Sequence, residues 1–349
     1  MCRNFQIKKY WSVSCSNRTR YSSFNRLRGV SKIIYYTEVL TALTFSRTKV
    51  IIEKLLSYIL IKYRRVIFLY YIQEADKPNF IFRFFHIIQL QEDKIILPIN
   101  DKKISSKKAQ KLAQKTKRIL DKTISKKIVI SEKIQKQEEY VNLLHTYDLE
   151  IIDGRWLFEI LSCKVLDYIL RQKKMRKEEI AISILVNDLT ENMLSNIKQI
   201  TKEYKRVNIV TNHIEKFGKI EKQILEKDGI MITVGNNKKK GLSKAKLILN
   251  VDFPSELINQ YNIYENAIIV NIRGNVKIAK KRFNGISIND YEIAFDKGEE
   301  FDLDKEKKYK QCKIYEAQIN KKQPFQEIMK QIEKDKVKIT KLIGMNTMI

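Results

Sequence analysis

Cysteine is scarce in this chain of 349 residues. Cys2, Cys15, Cys163 and Cys312 are scattered and form no Cys-x-x-Cys pair. Their spacing argues against a disulfide framework and against a structural zinc site, and it is typical of a reducing compartment. We therefore expect a cytoplasmic protein that has no metal centre.

The chain also lacks an uninterrupted apolar run. The most apolar early stretch, 50–72, contains charged residues that are too costly inside a span of roughly 20 residues. These are Glu53, Lys54, Lys62, Arg64 and Arg65. No short apolar core is followed by a small-residue cleavage site, so we expect neither a membrane partner nor a signal peptide.

Acidic residues are outnumbered, with 40 Asp and Glu against 68 Lys and Arg, which gives a net charge of +28. Such a charge would ordinarily suggest a polyanionic partner. Lysine outnumbers arginine by 52 to 16, however, as in proteins from AT-rich, low-GC bacterial genomes. Because phosphate contacts need a localised basic surface and these charges are spread along the chain, nucleic-acid binding is not favoured.

The first 75 residues differ in composition from the rest. Half of all arginines lie there, and Met1–Val30 shows neither a helical nor a strand period. Three interpretations remain open. The segment is a basic leader, partly disordered or helical; a nucleic-acid-binding arm; or the product of a misassigned start or a frame error.

Residues 76–154 predict a small α/β domain. Apolar runs at Phe80–His86, Lys94–Ile99 and Lys127–Ile130 read as strands, and Leu149–Ile152 as another. A helix capped by Ser105 or Ser106 is predicted to run to about Asp121, and a second helix over Glu132–Tyr147. A linking helix over 155–178, apolar nearly all round, follows. The remaining predicted regions are a larger domain at 179–295, an exposed loop at 296–323 and a C-terminal helix at 324–349.

The larger domain shows short β-branched runs alternating with helix-length amphipathic segments. The runs are 180–186, 207–210, 230–234, 247–249 and 267–270. Strands without polar alternation, joined by helical crossovers, predict a parallel sheet with helices on both faces. The fold class is thus α/β with two domains: a Rossmann-like doubly wound sheet in the second half, preceded by the smaller α/β unit.

Polar residues gather where these strands end. In open α/β sheets, ligands bind outside the carboxyl ends of the strands. We therefore expect a small polar ligand or a nucleotide to contact some of Asn187, Asp188, Asn212, His213, Gly235, Asn236 and Asn250. Asp101, Asp153, Asp188 and Asp252 also end predicted strands, where they could converge on a polar substrate or a metal, or simply cap helices.

Residues 181–274 resemble the nicotinamide-binding domain of shikimate dehydrogenases and glutamyl-tRNA reductases. The resemblance rests on the order of 184–188, 207–213 and 245–254. It implies that Thr211, Asn212 and His213 lie where the family reads the adenosine ribose or its phosphate. It also implies that Asn250, Asp252 and Pro254 border the nicotinamide of NAD or NADP.

One departure from that family concerns the first turn. The family has a glycine-rich loop there, whereas this chain has Val186-Asn-Asp-Leu-Thr-Glu-Asn192. Asp188-Leu-Thr-Glu191 predicts a capping box, whose side chains would occupy the free amides at the start of the helix. The fixed negative charge of Asp188 would also repel a phosphate there. An active dehydrogenase and a degenerate Rossmann-like domain are both compatible with this pattern, and no catalytic residue is assigned.

Two functions follow from the sequence. The first is a cytoplasmic protein whose degenerate Rossmann-like domain binds a nucleotide or a small polar ligand. The alternative is a basic interaction protein that binds nucleic acid or an acidic partner. The loop Gly235-Asn-Asn-Lys-Lys-Lys-Gly241 could hold an anion, or it could be an exposed basic turn.

We predict that limited proteolysis trims Met1–Val30 first, because this segment lacks a repeating apolar face that could offset the entropy of ordering it. The measurement is mass spectrometry of the early fragments. Resistance of this segment to cleavage, together with unfolding when it is deleted, would contradict the prediction.

Overall fold

The computed structural model describes residues 69–344 and 348–349, apart from 77, 79, 101–102, 124–125, 280–282 and 297–306. The interpretations of Met1–Val30, and of the leader as a whole up to residue 68, lie outside the described residues. The strands are β1 (Tyr70–Glu74), β2 (Gln89–Gln91), β3 (Lys94–Leu97), β4 (Lys127–Ile130), β5 (Glu150–Ile152), β6 (Ala181–Leu185), β7 (Arg206–Val210), β8 (Thr233–Gly235), β9 (Leu247–Asn250), β10 (Ile268–Asn271), β11 (Ile286–Ala294) and β12 (Lys338–Gly344). The α-helices are α1 (Phe80–Phe84), α2 (Ser106–Leu120), α3 (Glu132–Gln135), α4 (Glu138–Thr146), α5 (Arg155–Ile160), α6 (Ser162–Gln172), α7 (Glu191–Glu203), α8 (Ile214–Asp228), α9 (Ser255–Ile258), α10 (Gln311–Gln318) and α11 (Phe325–Lys334).

The β-branched runs of the second half form one parallel sheet, as their pattern predicts. The order of its seven strands is β12-β11-β10-β9-β6-β7-β8. Strands β6 to β11 pair in parallel, and β12 pairs antiparallel with β11. Read from β8, the six parallel strands follow the order 3-2-1-4-5-6 of the Rossmann fold. The predicted fold class is confirmed.

A second sheet has the order β2-β3-β1-β4-β5. Four of its strands are parallel, and β2 pairs antiparallel with β3 at one edge. One face packs against α2 and α4, where Leu112 and Tyr140 are buried against Ile72. The opposite face is covered by a later part of the chain, since Tyr309 and Ile314 are buried there.

The two faces of the seven-stranded sheet are covered unequally. One face packs against α5 to α8 and α11 in a single large core. On the other face the described cover consists of α9 and of turns, among them residues 236–246, which join β8 to β9 without a helix. The prediction of helices on both faces therefore holds, but the helix on the second face is short.

The predicted linking helix is two helices, α5 and α6, that meet at Leu161. Nearly all of their apolar side chains are buried, as an apolar circumference requires. The ring of Phe158 stacks on Tyr291 of β11 with centroids 4.3 Å apart, and the Tyr291 hydroxyl donates to the Gly154 carbonyl at 2.8 Å. This junction connects the end of the smaller sheet to β11 of the larger one.

Several predicted elements differ from the structure. Residues 70–74, expected to belong to a partly disordered or helical leader, form strand β1, and the helix expected over Glu132–Tyr147 is divided into α3 and α4. Phe80–His86 was expected to be a strand or a strand edge, but Phe80–Phe84 is a helix on which Phe80 and Phe84 face solvent. The loop expected at 296–323 contains the buried helix α10. The C-terminal helix expected at 324–349 ends at Lys334, and β12 follows. The spacing of Ile339, Leu342 and Ile343 fits a helix in the sequence, but antiparallel pairing with β11 makes this segment a strand.

Within the part of the chain that the structure describes, no helix is both long enough and apolar enough to cross a membrane.

Two glycines in the left-handed region provide a matched test of packing. Gly154 has a φ of 88°, and a Cβ there would lie 3.1 Å from the Cys312 sulfur. Gly229 has a φ of 66° and no heavy atom within 4 Å of such a Cβ. We expect Gly229→Ala to lower the free energy of unfolding by about 1 kcal/mol through backbone strain, and Gly154→Ala to lower it further through the added contact. Urea denaturation measures both, and equal losses would contradict the steric argument.

Candidate functional site

The carboxyl edge of the seven-stranded sheet brings together most of the predicted site residues. Asn187 and Asp188 follow β6, Asn212 and His213 follow β7, and Asn236 follows β8, whose last residue is Gly235. The edge centres on β6, which pairs with β7 on one side and with β9 on the other. The strand order reverses between β6 and β9, and this is where doubly wound sheets open a crevice.

The turn after β6 is held by a carboxylate from the turn that follows β9. Asp252 accepts hydrogen bonds from the Asn187 amide at 2.9 and 3.0 Å and from the Asp188 amide at 2.6 Å. Backbone amides in this turn are the groups that bind the pyrophosphate in dinucleotide-binding domains. In this chain an internal anion already occupies them.

The sequence did not predict this role for Asp252. It marked the residue as a strand-ending aspartate and, through the family resemblance, as a neighbour of the nicotinamide. The contact joins positions 65 residues apart, so only the pairing of β6 with β9 makes it visible.

The predicted capping box at Asp188 is wrong. Thr190 is the N-cap of α7, and its hydroxyl accepts a hydrogen bond from the Met193 amide at 3.1 Å. The Asp188 side chain is 72% exposed and forms an ion pair with Arg273 at 3.2 Å. Thr and Asp are both good N-cap residues, and the helix begins two residues later than the sequence suggested.

A chain of charged groups connects this turn to the helix junction. The guanidinium of Arg273, just after β10, bonds Glu159 of α5 at 3.1 Å as well as Asp188. Glu159 is buried, and its other oxygen accepts from the Thr190 hydroxyl. Partial burial disfavours the charged guanidinium, but Glu159 and then Asp188 outweigh that effect and raise the pKa of Arg273. The chain fixes the turn after β6 on both sides.

Three asparagines form a polar row along the edge. The Asn187 side-chain oxygen accepts from the Asn212 amide at 2.9 Å, and the Asn236 side chain donates to the Asn212 side chain at 3.5 Å. Asn212 and His213 are exposed, and the His213 backbone amide donates to the Thr211 hydroxyl at 3.1 Å. The row offers both donors and acceptors to a ligand at the surface.

Asn250 does not share that surface. Its side chain is 2% exposed and bonds the Phe253 backbone and the Asn271 side chain, the latter at 2.9 Å. Asn271 in turn donates to Asn289 at 2.9 Å, which extends a buried amide network across three strand ends. Asn250 therefore stabilises the edge from inside.

The loop from Gly235 to Gly241 is closed on itself. The Asn237 side chain accepts from the Lys239 and Lys240 amides, each at 3.0 Å. The Gly241 amide bonds the Asn237 carbonyl at 2.7 Å. Because these backbone amides are already paired, they are not available to bind an anion. Of the two interpretations of this loop, the structure therefore favours the exposed basic turn.

Of the strand-ending aspartates, the structure brings Asp188 and Asp252 together at the turn after β6. Asp153 accepts from the Arg155 amide at 2.9 Å, Asp252 holds the turn after β6, and Asp101 lies outside the described residues. Across the described part of the chain, no group of three or more His, Cys, Asp or Glu side chains is placed to hold a metal ion.

No protein-family model and no curated protein matches the chain. Among solved structures it is similar to L-tryptophan dehydrogenase from Nostoc punctiforme, with a TM-score of 0.26 and 10% identity over 54% of this chain and 52% of that one. It is also similar to a putative malic enzyme, with a TM-score of 0.27 and 12% identity over 67% of this chain and 68% of that one. Ornithine carbamoyltransferase from Pyrococcus furiosus matches with a TM-score of 0.26 and 13% identity over 63% of this chain and 75% of that one. The match thus spans about half the length of the tryptophan dehydrogenase. At TM-scores this low, the functions of these proteins are not transferred to this chain. The fold class rests on the strand order.

The two assignments of the α7 N-cap can be separated by mutation. We expect Thr190→Ala to lower the free energy of unfolding by about 1 kcal/mol, because the Met193 amide loses its acceptor. Thr190→Ser should retain most of the stability, and Asp188→Ala should cost less than Thr190→Ala. Thermal and urea denaturation of the three variants measure this. If Asp188→Ala lowered the free energy of unfolding more than Thr190→Ala does, Asp188 would be the N-cap residue, as the sequence predicted.

Proposed function

We propose that the seven-stranded half of this protein binds a small, uncharged polar ligand at its carboxyl edge and does not hold NAD or NADP in the usual way. The observation that carries this proposal is the Asp252 carboxylate on the amides of Asn187 and Asp188. A pyrophosphate would have to displace a carboxylate of the same chain, which competes at a high effective concentration.

Charge at the edge supports the exclusion of phosphate. Asp188 projects a largely exposed carboxylate beside the turn, and Arg273, which pairs with it, is shared with Glu159. A phosphate placed there would face two carboxylates, Asp188 and Asp252. Because like charges at short range are unfavourable, a neutral ligand fits this turn better than a dinucleotide.

The polar row suggests the chemistry of the ligand. Asn187, Asn212 and Asn236 present amide groups, and His213 presents an exposed imidazole. Amides donate and accept hydrogen bonds, which suits hydroxyl groups and heterocycle edges. The resemblance to shikimate dehydrogenases and glutamyl-tRNA reductases implies that Asn212 and His213 read the ribose or its phosphate, and the like charges of this edge favour the ribose. We therefore propose a nucleoside or a similar polyhydroxylated molecule as the ligand class.

A binding role accounts for the site better than a dehydrogenase. No described hydrogen bond joins the His213 imidazole to a side chain that could orient it as a general base. The proposed location is the cytoplasm, because both described cysteines, Cys163 and Cys312, are buried free thiols.

The test is titration of NADH, NADPH and adenosine into the full chain, followed by NADH fluorescence and by thermal shift. We expect adenosine to raise the melting temperature and NADH to show no saturable binding. Asp252→Ala should allow NADH to bind, because it frees the two amides, and Asp188→Gly should add to this effect by removing a like charge. Asp121→Ala, which removes an exposed carboxylate on α2, is the matched control and should not gain binding.

Tight NADH binding by the wild type, weakened by Asp252→Ala or Asp188→Gly, would overturn the proposal and indicate a working oxidoreductase. If adenosine did not raise the melting temperature and NADH did not bind either, the nucleoside would be rejected as the ligand class.

A further inference from the structure

The missing helix between β8 and β9 leaves part of the sheet open. Leu242 and Ala245 of the joining turns pack against Leu185 and Val210 near the carboxyl end. Towards the amino ends of β6, β7 and β8, the same face borders a groove of about 590 Å³. This groove lies at the opposite end of these strands from the asparagine row.

The groove is strongly basic. Lys205, Arg206, Lys240 and Lys244 line it, together with a single carboxylate, Glu221. No described residue forms an ion pair with any of the four cations. Lys238, Lys239 and Lys246 are exposed on the same turns. The sequence had suggested evenly spread charge, but folding concentrates seven cations here.

The floor of the groove is polar and already ordered. The Asn208 side chain donates to the Gly241 carbonyl at 3.0 Å, and the Ser183 hydroxyl donates to the same oxygen at 3.2 Å. These bonds fix the Asn208 amide at the surface of the sheet. Met231, which is 80% exposed, provides an apolar contact at the rim.

We propose that this groove binds the backbone of a single-stranded nucleic acid. Seven cations exceed the need of one small anion, and they follow a surface that extends beyond the groove, as a chain of phosphates would require. The groove is also lined by Asn208 and Met231, which the bases of a bound strand can contact. This site is independent of the proposed nucleoside site.

The experiment measures fluorescence anisotropy of a labelled single-stranded oligonucleotide of roughly 12 nucleotides with the full chain at several salt concentrations. The groove variant combines Arg206→Gln, Lys240→Gln and Lys244→Gln. The matched control combines Lys107→Gln, Lys111→Gln and Arg118→Gln, which removes the same charges from the exposed face of α2. Melting temperatures confirm that both variants fold.

We expect the groove variant to bind about tenfold more weakly and to lower the slope of log K against log salt by about 2, since each phosphate contact to a single strand contributes about 0.7. The control should bind nearly as the wild type does. Equal loss in both variants, or loss in neither, would overturn the proposal, because binding would then come from general charge or from another segment. Unlabelled polyglutamate, ATP and duplex DNA are each tested as competitors against the unlabelled single strand. If one of them competed as strongly as the single strand does, the proposal would be overturned in favour of an acidic protein, a small phosphate ligand or a duplex, respectively.

Discussion

The position of β6 between β7 and β9 is the constraint on which the larger half of the structure depends. It reverses the strand order at the centre of the sheet and brings the end of β9 beside the turn after β6. Asp252 can then reach the amides of that turn, and Asn187 can reach the end of β7. A single topological feature thus brings these strand ends together and also supplies the carboxylate that holds the amides after β6.

Buried polar groups stabilise the same edge from below. Asn250, Asn271 and Asn289 exchange hydrogen bonds across three strands, and Ser287 joins them. A buried amide without partners costs about 1–3 kcal/mol, so a network of this kind is stable only when each member is paired. The edge is therefore rigid inside and polar outside, which suits recognition of a ligand by hydrogen bonds.

The sequence predicted what depends on local pattern. Runs such as 180–186 identified the parallel strands, and Ser105 marked the start of α2. It did not predict contacts that depend on folding, such as the one made by Asp252. It also missed α10, where Lys313 and Glu316 are buried because Gln135 and Lys321 pair with them. Composition alone marked that segment as exposed, since charged residues are rarely buried unless they are paired.

The packing of α10 has a consequence for the order in which the protein folds. The smaller sheet is formed by residues 70–152, yet one of its faces is closed by Tyr309 and Ile314. During synthesis that sheet emerges first, and Tyr71, Val129 and Ile152 stay uncovered until about 160 further residues have been made. Contacts over such sequence separations slow folding and prolong the exposure of apolar surface. The smaller sheet thus becomes fully native only after strands β6 to β11 of the larger sheet have been synthesised.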